Sequence, residues 1–219
     1  AMQRIKNLIL VGTSHIAQQS VDDVKDAIHK YEPKIIAIEL DQKRMESLMH
    51  PEHRTIKMAD IRRIGFKGFL FNMLGAWLQR KLGKMVDLAP GSEMKTAVQL
   101  ARETNATIAL IDQDVHITLR RLSKELALAE KFRLAKEMIL GMLFSRQKIK
   151  IDLRKVPSEK LIKRLTQRMK KEYPSLYKVL VEERNEYMAK SLYKIMNLYP
   201  GEKIVAIVGA GHEEDIVQL

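Results

Sequence analysis

Cysteine is missing from all 219 residues. Disulfides, thiolate metal sites and cysteine nucleophiles are therefore excluded, and a reducing compartment is the setting that fits. Aromatic residues are scarce at 5%, too few to furnish the stacking platforms that hold single-stranded nucleic acid. No low-complexity tract interrupts the chain and no secretory signal is legible in it. The leading Ala1-Met2 reads as a cloning remnant outside the fold. Long hydrophobic runs are absent too. The densest apolar zone, Ile61–Leu88, is broken by Gly65, Gly68, Gly75 and Gly83 and is too short for a transmembrane helix. Its Phe66, Phe69, Phe71 and Trp77 fit a lid or substrate wall, a core or homodimer contact, or an interfacial segment.

Hydrophobic residues make up 46% and charged residues 30%, the proportions of a globular protein with one substantial core. Lysine and arginine number 39 against 27 acidic residues, for a net charge of +12. A basic balance admits nucleic acid or an anionic membrane surface as partner. A Lys/Glu-rich solvated surface accounts for it equally well, and with so few aromatics nucleic acid is not the expected partner.

Four short apolar runs read as buried strands: Leu8–Val11, Ile35–Ile38, Thr107–Ile111 and Ile204–Val208. Continuous runs of this kind suit parallel strands covered on both faces. Between them lie helical patterns. One runs through Val21, Val24, Ala27 and Ile28, with Ser20 or Asp22 as its cap and Pro33 as its end. Another runs through Met94, Ala97, Val98 and Ala101, with Ser92 as cap and an end near Asn105. Residues 120–198 are basic, amphipathic and helix-forming, with Pro157 and Pro174 as breaks, and read as about three helices. The expected fold is α/β: a central, mostly parallel sheet flanked by helices, in one domain, with a helical insertion before the last strand.

The first and last strands end alike, in Gly12-Thr13-Ser14-His15 and Gly209-Ala210-Gly211-His212. Each is a strand followed by Gly-x-x-His, which places a histidine at the rim of the sheet. The other two strands run into Glu39-Leu40-Asp41 and Asp112-Gln113-Asp114. Strand alternation would put each acidic pair on one face, and in open α/β sheets ligands bind beyond the carboxyl ends of the strands. Two imidazoles and a carboxylate are an N/O donor set suited to Mn, Fe, Co, Ni or Zn, and such an ion activates water. A metal-free site would use His15 as general base, oriented by Glu39. Arg44 follows Glu39 closely, Arg121 follows Thr118-Leu119-Arg120, and Glu183, Arg184 and Tyr187 share a helical stretch. An inward arginine would stabilise an oxyanion or hold a substrate carboxylate.

In series these motifs, together with Pro90-Gly91-Ser92-Glu93-Met94 and Glu182-Glu183-Arg184-Asn185-Glu186-Tyr187-Met188, resemble the TraB/PrgY family over nearly the whole chain. That family is similar in turn to the TIKI metalloproteases, GumN and the EreA/ChaN-like proteins. The resemblance implies an EreA/ChaN-like α/β fold and an active site on His15, Glu39, His212 and Arg184. Glu93, Arg44, Arg121 and Glu183 are further catalytic candidates, and Asp41, Asp112 and Tyr187 candidates for substrate contact. It implies divalent-metal-dependent hydrolysis of a peptide, of the pheromone-limiting kind. His15, His212 and Glu39 or Glu93 would hold Mn, Co or Zn, a remaining carboxylate would be the base, and Arg184 or Arg121 the oxyanion partner. A non-catalytic peptide-sequestering module and a metal-independent esterase with a histidine base are the alternatives. Many archaeal and bacterial relatives continue into a hydrophobic membrane region, so a cytoplasmic domain of a membrane-anchored protein is expected. This chain departs from the family pattern at Gln113, where arginine is common, and at Asn185, where aspartate is usual.

Overall fold

The structure is a computed structural model, and it describes residues 2–13, 18–50, 91–130, 132, 133, 136 and 159–219. The strands are β1 (Met2–Ile5), β2 (Leu8–Thr13), β3 (Ile35–Ile38), β4 (Thr107–Leu110) and β5 (Ile204–Gly209). They form one sheet in the order β1-β2-β5-β3-β4. The neighbours β2/β5, β5/β3 and β3/β4 are parallel, and β1 is antiparallel to β2. Both Leu8 and Ile35 align with Ile204, so three strands run in step to the same edge. Met2 pairs with Val11 inside β1, which corrects the reading of Met2 as lying outside the fold; Ala1 lies outside the described residues. Ladder hydrogen bonds hold β1 at the edge although it has little to bury.

In chain order the helices are α1 (Gln18–Tyr31), α2 (Gln42–Met49), α3 (Ser92–Glu103), α4 (Val115–Glu125), α5 (Glu159–Glu172), α6 (Pro174–Tyr177), α7 (Glu183–Leu198) and α8 (Glu213–Gln218). A π-helical turn, Lys178–Glu182, joins α6 to α7. Side-chain alternation along the strands sorts the core into two layers. Ile9, Val11, Ile36, Ile38, Val205 and Ile207 pack with α1 and α3. Leu8, Leu10, Ile35, Ala37, Ile204, Ala206 and Val208 pack with Met188 and Leu192 of α7 and Ile216 of α8. β2, β3 and β5 are buried along their whole length, and each large apolar side chain so removed from water is worth about 1.5–3 kcal/mol. The expected α/β sheet with helices on both faces is the fold observed.

Local details differ from the expectation. α1 starts at Gln18, ahead of both Ser20 and Asp22, and Ser20 is buried within it. The added turn is braced by Gln18 Nε2 donating to Asp22 Oδ1, a pair four residues apart on one helix face. The N-cap of α3 is Gly91 at φ 82°, and Ser92 is its first helical residue. A left-handed φ is open to glycine without penalty. Pro174 breaks the helical insertion as expected, standing at the start of α6 just after α5 ends. Pro157 and the zone Ile61–Leu88 lie outside the described residues. Among the described residues no helix is long and apolar enough to cross a membrane.

Candidate functional site

The parallel strands end together, and the residues just beyond their ends assemble one polar cluster. β3 leaves the sheet at Ile38, but Glu39 still donates its N–H to Ile207 O at 3.1 Å. This places the Glu39 side chain, 4% exposed, beside the end of β5. Its Oε2 accepts from Gly209 N at 2.6 Å and its Oε1 from Arg184 Nη2 at 2.5 Å. β4 runs out into Asp112, whose Oδ1 accepts from Arg184 Nε at 3.1 Å and whose Oδ2 accepts from Arg184 Nη2 at 2.6 Å. One guanidinium thus bridges the ends of β3 and β4, with the fork geometry that arginine offers a carboxylate.

Arg184 reaches this position from the first turn of α7, directly after the π-helical turn. Its Nη1 donates to Leu180 O within that turn at 3.2 Å. π-turns concentrate at functional sites because one extra residue re-aims the side chains beyond it. Burial disfavours the Arg184 charge, but the hydrogen bonds and charges of Asp112 and Glu39 outweigh it, and its pKa is raised above the ordinary value. Asp112 shows the mirror case. Burial pushes it up, Arg184 and then Arg44 pull it down further, and it is held below the ordinary carboxylate value.

The cluster continues outward. Arg44 Nη2 donates to Asp112 Oδ2 at 2.5 Å and Arg44 Nε to Asp41 Oδ2 at 2.6 Å. Asp41 also caps α2, accepting from Arg44 N at 3.0 Å, and accepts from Val115 N at 3.2 Å. Glu39, Arg184, Asp112, Arg44 and Asp41 therefore alternate in charge along one chain of contacts. Arg44 is itself raised: burial lowers it, and Asp112 and then Asp41 more than offset that.

His212 closes the other end. It follows the turn in which His212 N donates to Gly209 O at 2.8 Å. Its Nε2 lies 3.6 Å from Glu39 Oε1 and 3.3 Å from Arg184 Nη1, and its Nδ1 lies 2.5 Å from Asn185 Oδ1. The partner motif leaves the neighbouring strand at the same level, since Gly12 aligns with Val208 and Thr13 with Gly209. A Cβ at Gly12 would meet the carboxylate end of the Glu213 side chain, which would have to turn aside. His15 lies outside the described residues.

Other expected residues fall elsewhere. Arg121 pairs with Glu183 at 2.6 Å and with Glu125 at 3.2 Å, and its hydrogen bond and charge hold Glu183 below its ordinary value. Glu93 is buried in the first turn of α3. Tyr187, one turn beyond Arg184, is 46% exposed. The expectation that Asp114 shares a face with Asp112 is corrected. β4 ends at Leu110, so strand alternation no longer applies; Asp114 caps α4 and pairs with Lys43 in the open. β3 likewise ends at Ile38, and Asp41 joins the cluster through Arg44 rather than by alternation with Glu39. Sequence reasoning missed Asn185, Asp215 and Glu213. The first of them was marked in the sequence only as a departure from the family pattern, with no role attached.

Among the described residues no group of three or more histidines and acidic side chains converges as a metal site. His212 Nε2 and Glu39 Oε1, at 3.6 Å, are nevertheless spaced as two ligands of one ion. Bonds of about 2.1 Å at a tetrahedral angle would set them roughly 3.4 Å apart. The spacing alone would suit two ligands of a divalent cation; the Arg184 guanidinium, 2.5 Å from Glu39 Oε1 and 3.3 Å from His212 Nε2, stands against both atoms.

The sequence model of the TraB/PrgY/gumN family matches residues 3–214. An uncharacterized protein of Methanocaldococcus jannaschii is 35% identical over 216 residues, which cover 97% of this chain and 53% of that protein. TraB domain-containing proteins of Bos taurus and Homo sapiens are 27% and 26% identical over 195 residues, covering 84% of this chain and 51% of each relative. The chain thus spans about half the length of the curated relatives it matches.

Proposed function

The chain belongs to the TraB/PrgY/gumN family, and from that premise we propose that it is a divalent-metal-dependent hydrolase acting on a peptide. The observation that carries the reading is Arg184, held by Glu39 and Asp112 within 3.3 Å of the His212 imidazole, at the edge where the parallel strands end. A structural ion pair needs no imidazole beside it. A site for acyl chemistry needs a base or ligand lone pair, a carboxylate and a fixed cation within reach of one another.

In this reading His212 and Glu39, with His15, would hold the cation, which when bound would supply an acidified water. Gly209 N and Arg184 fix both oxygens of Glu39, so its orientation is set before substrate arrives. Asp112 holds the guanidinium plane by two bonds. Arg184 Nη1 stands beside His212; once a cation takes the Nε2 lone pair, the Nη1 hydrogen that faces the ring would be released to donate to a substrate carbonyl oxygen as it gains negative charge. The family resemblance names Glu93, buried in the first turn of α3, as the remaining carboxylate, which would take the proton of the attacking water and return it to the leaving amine as the C–N bond breaks.

The experiment is metal content by mass spectrometry, followed by cleavage of a mixed peptide library with and without added Mn, Co or Zn. Wild type is expected to retain metal and to cleave, and Glu39→Gln and His212→Ala to lose cleavage. Wild type that holds no metal and cuts no peptide removes the proposal. Hydrolysis that survives chelation but not His15→Ala selects the histidine-base esterase instead. A peptide retained and recovered intact selects the sequestering module.

A further inference from the structure

Two side chains that the hydrolytic reading leaves unused stand behind His212. Asn185, 2% exposed, places Oδ1 at 2.5 Å from His212 Nδ1. Its Nδ2 donates to Asp215 Oδ2 at 2.9 Å. Asn185 comes from α7, immediately after Arg184, and Asp215 from the first turn of α8. The three residues thus tie together the two helices that cover this face of the sheet.

The order of these bonds determines where protons sit. A carboxylate only accepts, so Asp215 takes the NH2 side of the amide. The amide oxygen is then what faces the imidazole. That oxygen also only accepts, so Nδ1 is the ring nitrogen that carries the hydrogen. The far side of the ring is mixed: Glu39 Oε1, an acceptor, lies 3.6 Å from Nε2, and a donor lies nearer. A guanidinium only donates, and Arg184 Nη1 stands 3.3 Å from Nε2, which calls for a lone pair there. The nearer of these two contacts agrees with the Asn185 side, and the 2.5 Å contact with Asn185 decides the tautomer.

We infer that Asn185 and Asp215 are positioning residues that hold His212 in its Nδ1–H form, with the Nε2 lone pair facing Arg184 Nη1. The functional part of this inference rests on His212 working through Nε2 in the proposed hydrolysis. The tautomer itself belongs to the resting protein and is read without substrate or metal. Asn185 does more here than fill the place of an aspartate. A neutral amide has one accepting and one donating end, so it relays the demand of Asp215 to the imidazole. Orientation of a ligand or base histidine through its second nitrogen is a recurrent device.

The test is two-bond 15N–1H correlation on the full chain with ring-labelled histidine. Six histidines are present, and the His212 signals are assigned by their loss in His212→Gln. Wild type is expected to show the Nδ1–H form. Asn185→Leu removes the acceptor and Asp215→Asn frees the amide to turn over, so each is expected to shift His212 toward the Nε2–H form. Asn185→Asp keeps an oxygen at that position and is expected to retain Nδ1–H. In the cleavage assay Asn185→Leu is expected to lower kcat by roughly ten- to hundredfold with little change in KM, and Asn185→Asp to restore most of it. A wild-type His212 protonated on Nε2, or a tautomer unchanged in both Asn185→Leu and Asp215→Asn, overturns the inference. The expected tautomer in a protein that cleaves nothing removes the hydrolytic reading and leaves the positioning of His212 standing.

Discussion

Cutting back the Arg184 side chain would leave Glu39 and Asp112, 4% exposed each, facing one another without the cation between them. Arg184→Ala is expected to destabilise the fold by about 3–5 kcal/mol, the usual consequence of removing one partner from a buried ion pair. Urea unfolding at neutral pH measures it. Lysine should rescue little, because one ammonium cannot reproduce the two-pronged contact with Asp112. The pH dependence has a definite sign. Asp112 titrates lower in the folded chain than its ordinary value. Its contribution to stability is therefore present above the unfolded pKa of about 3.9 and is lost as the pH falls through the folded value. Asp112→Asn should flatten the fall of the urea midpoint over that acid range. At Gly12, alanine would drive a methyl group into Glu213 Oε2. A loss of about 1–3 kcal/mol is expected, smaller in the pair Gly12→Ala with Glu213→Ala, and thermal unfolding of the two variants decides it. Residues at this scale were legible where a strand ends. Glu39, Asp112 and His212 each follow an apolar run, and Arg184 stands in a motif. Asn185 was not, because its role depends on Asp215, thirty positions away, and the sequence shows only that it departs from a pattern. Asp114 misled for a related reason: alternation describes a strand, and the strand had already ended.

The elements carry a second kind of information, which is phase. The π-helical turn Lys178–Glu182 inserts one extra residue just before Arg184. A turn of α-helix holds about 3.6 residues, so removing one residue rotates everything after it by roughly 100°. Deleting Val181 should return the segment to α-helical register and swing Arg184 away from Glu39 relative to the helix before it. The expected result is cleavage lost together with the His212 tautomer preference, read by peptide cleavage and by 15N–1H correlation. Asp41→Ala, which removes the cap of α2, should cost about 1 kcal/mol, and amide exchange should accelerate first in α2. Helical stretches were readable from apolar spacing, and Pro174 from its missing N–H. The π-turn was not readable. Over five residues a period of 3.6 with one insertion is indistinguishable from a period of 3.6. The start of α1 was misplaced similarly, because a serine that caps and a serine that is buried in the helix look alike in sequence.

For the whole molecule the decisive quantity is strand order, and periodicity says nothing about it. The apolar runs of β2, β3 and β5 announce burial, but not that β5 lies between β2 and β3. β1 escaped notice altogether, since Met2–Ile5 has no apolar run and owes its place to the ladder with β2. β5 is the central strand, flanked by strands that are themselves paired on both sides, which predicts that its backbone amides exchange slowest of all strands and those of the edge strand β1 much faster. Hydrogen exchange followed by mass spectrometry gives the ranking, and equal protection of the two strands would contradict the topology.

The place of β5 has a consequence for assembly. Until residues 204–209 arrive, β2 and β3 flank a gap one strand wide, and neither can pair with the other across it, since neighbouring strands need to approach within about 4.8 Å. The fold is therefore a lock whose middle tumbler is cut last. Such a gap invites completion from outside the chain: a fragment ending near Pro200, mixed with a peptide carrying residues 201–219, should reconstitute the sheet and regain His212 in the same event, so that the two pieces would report on one another's presence as a split sensor.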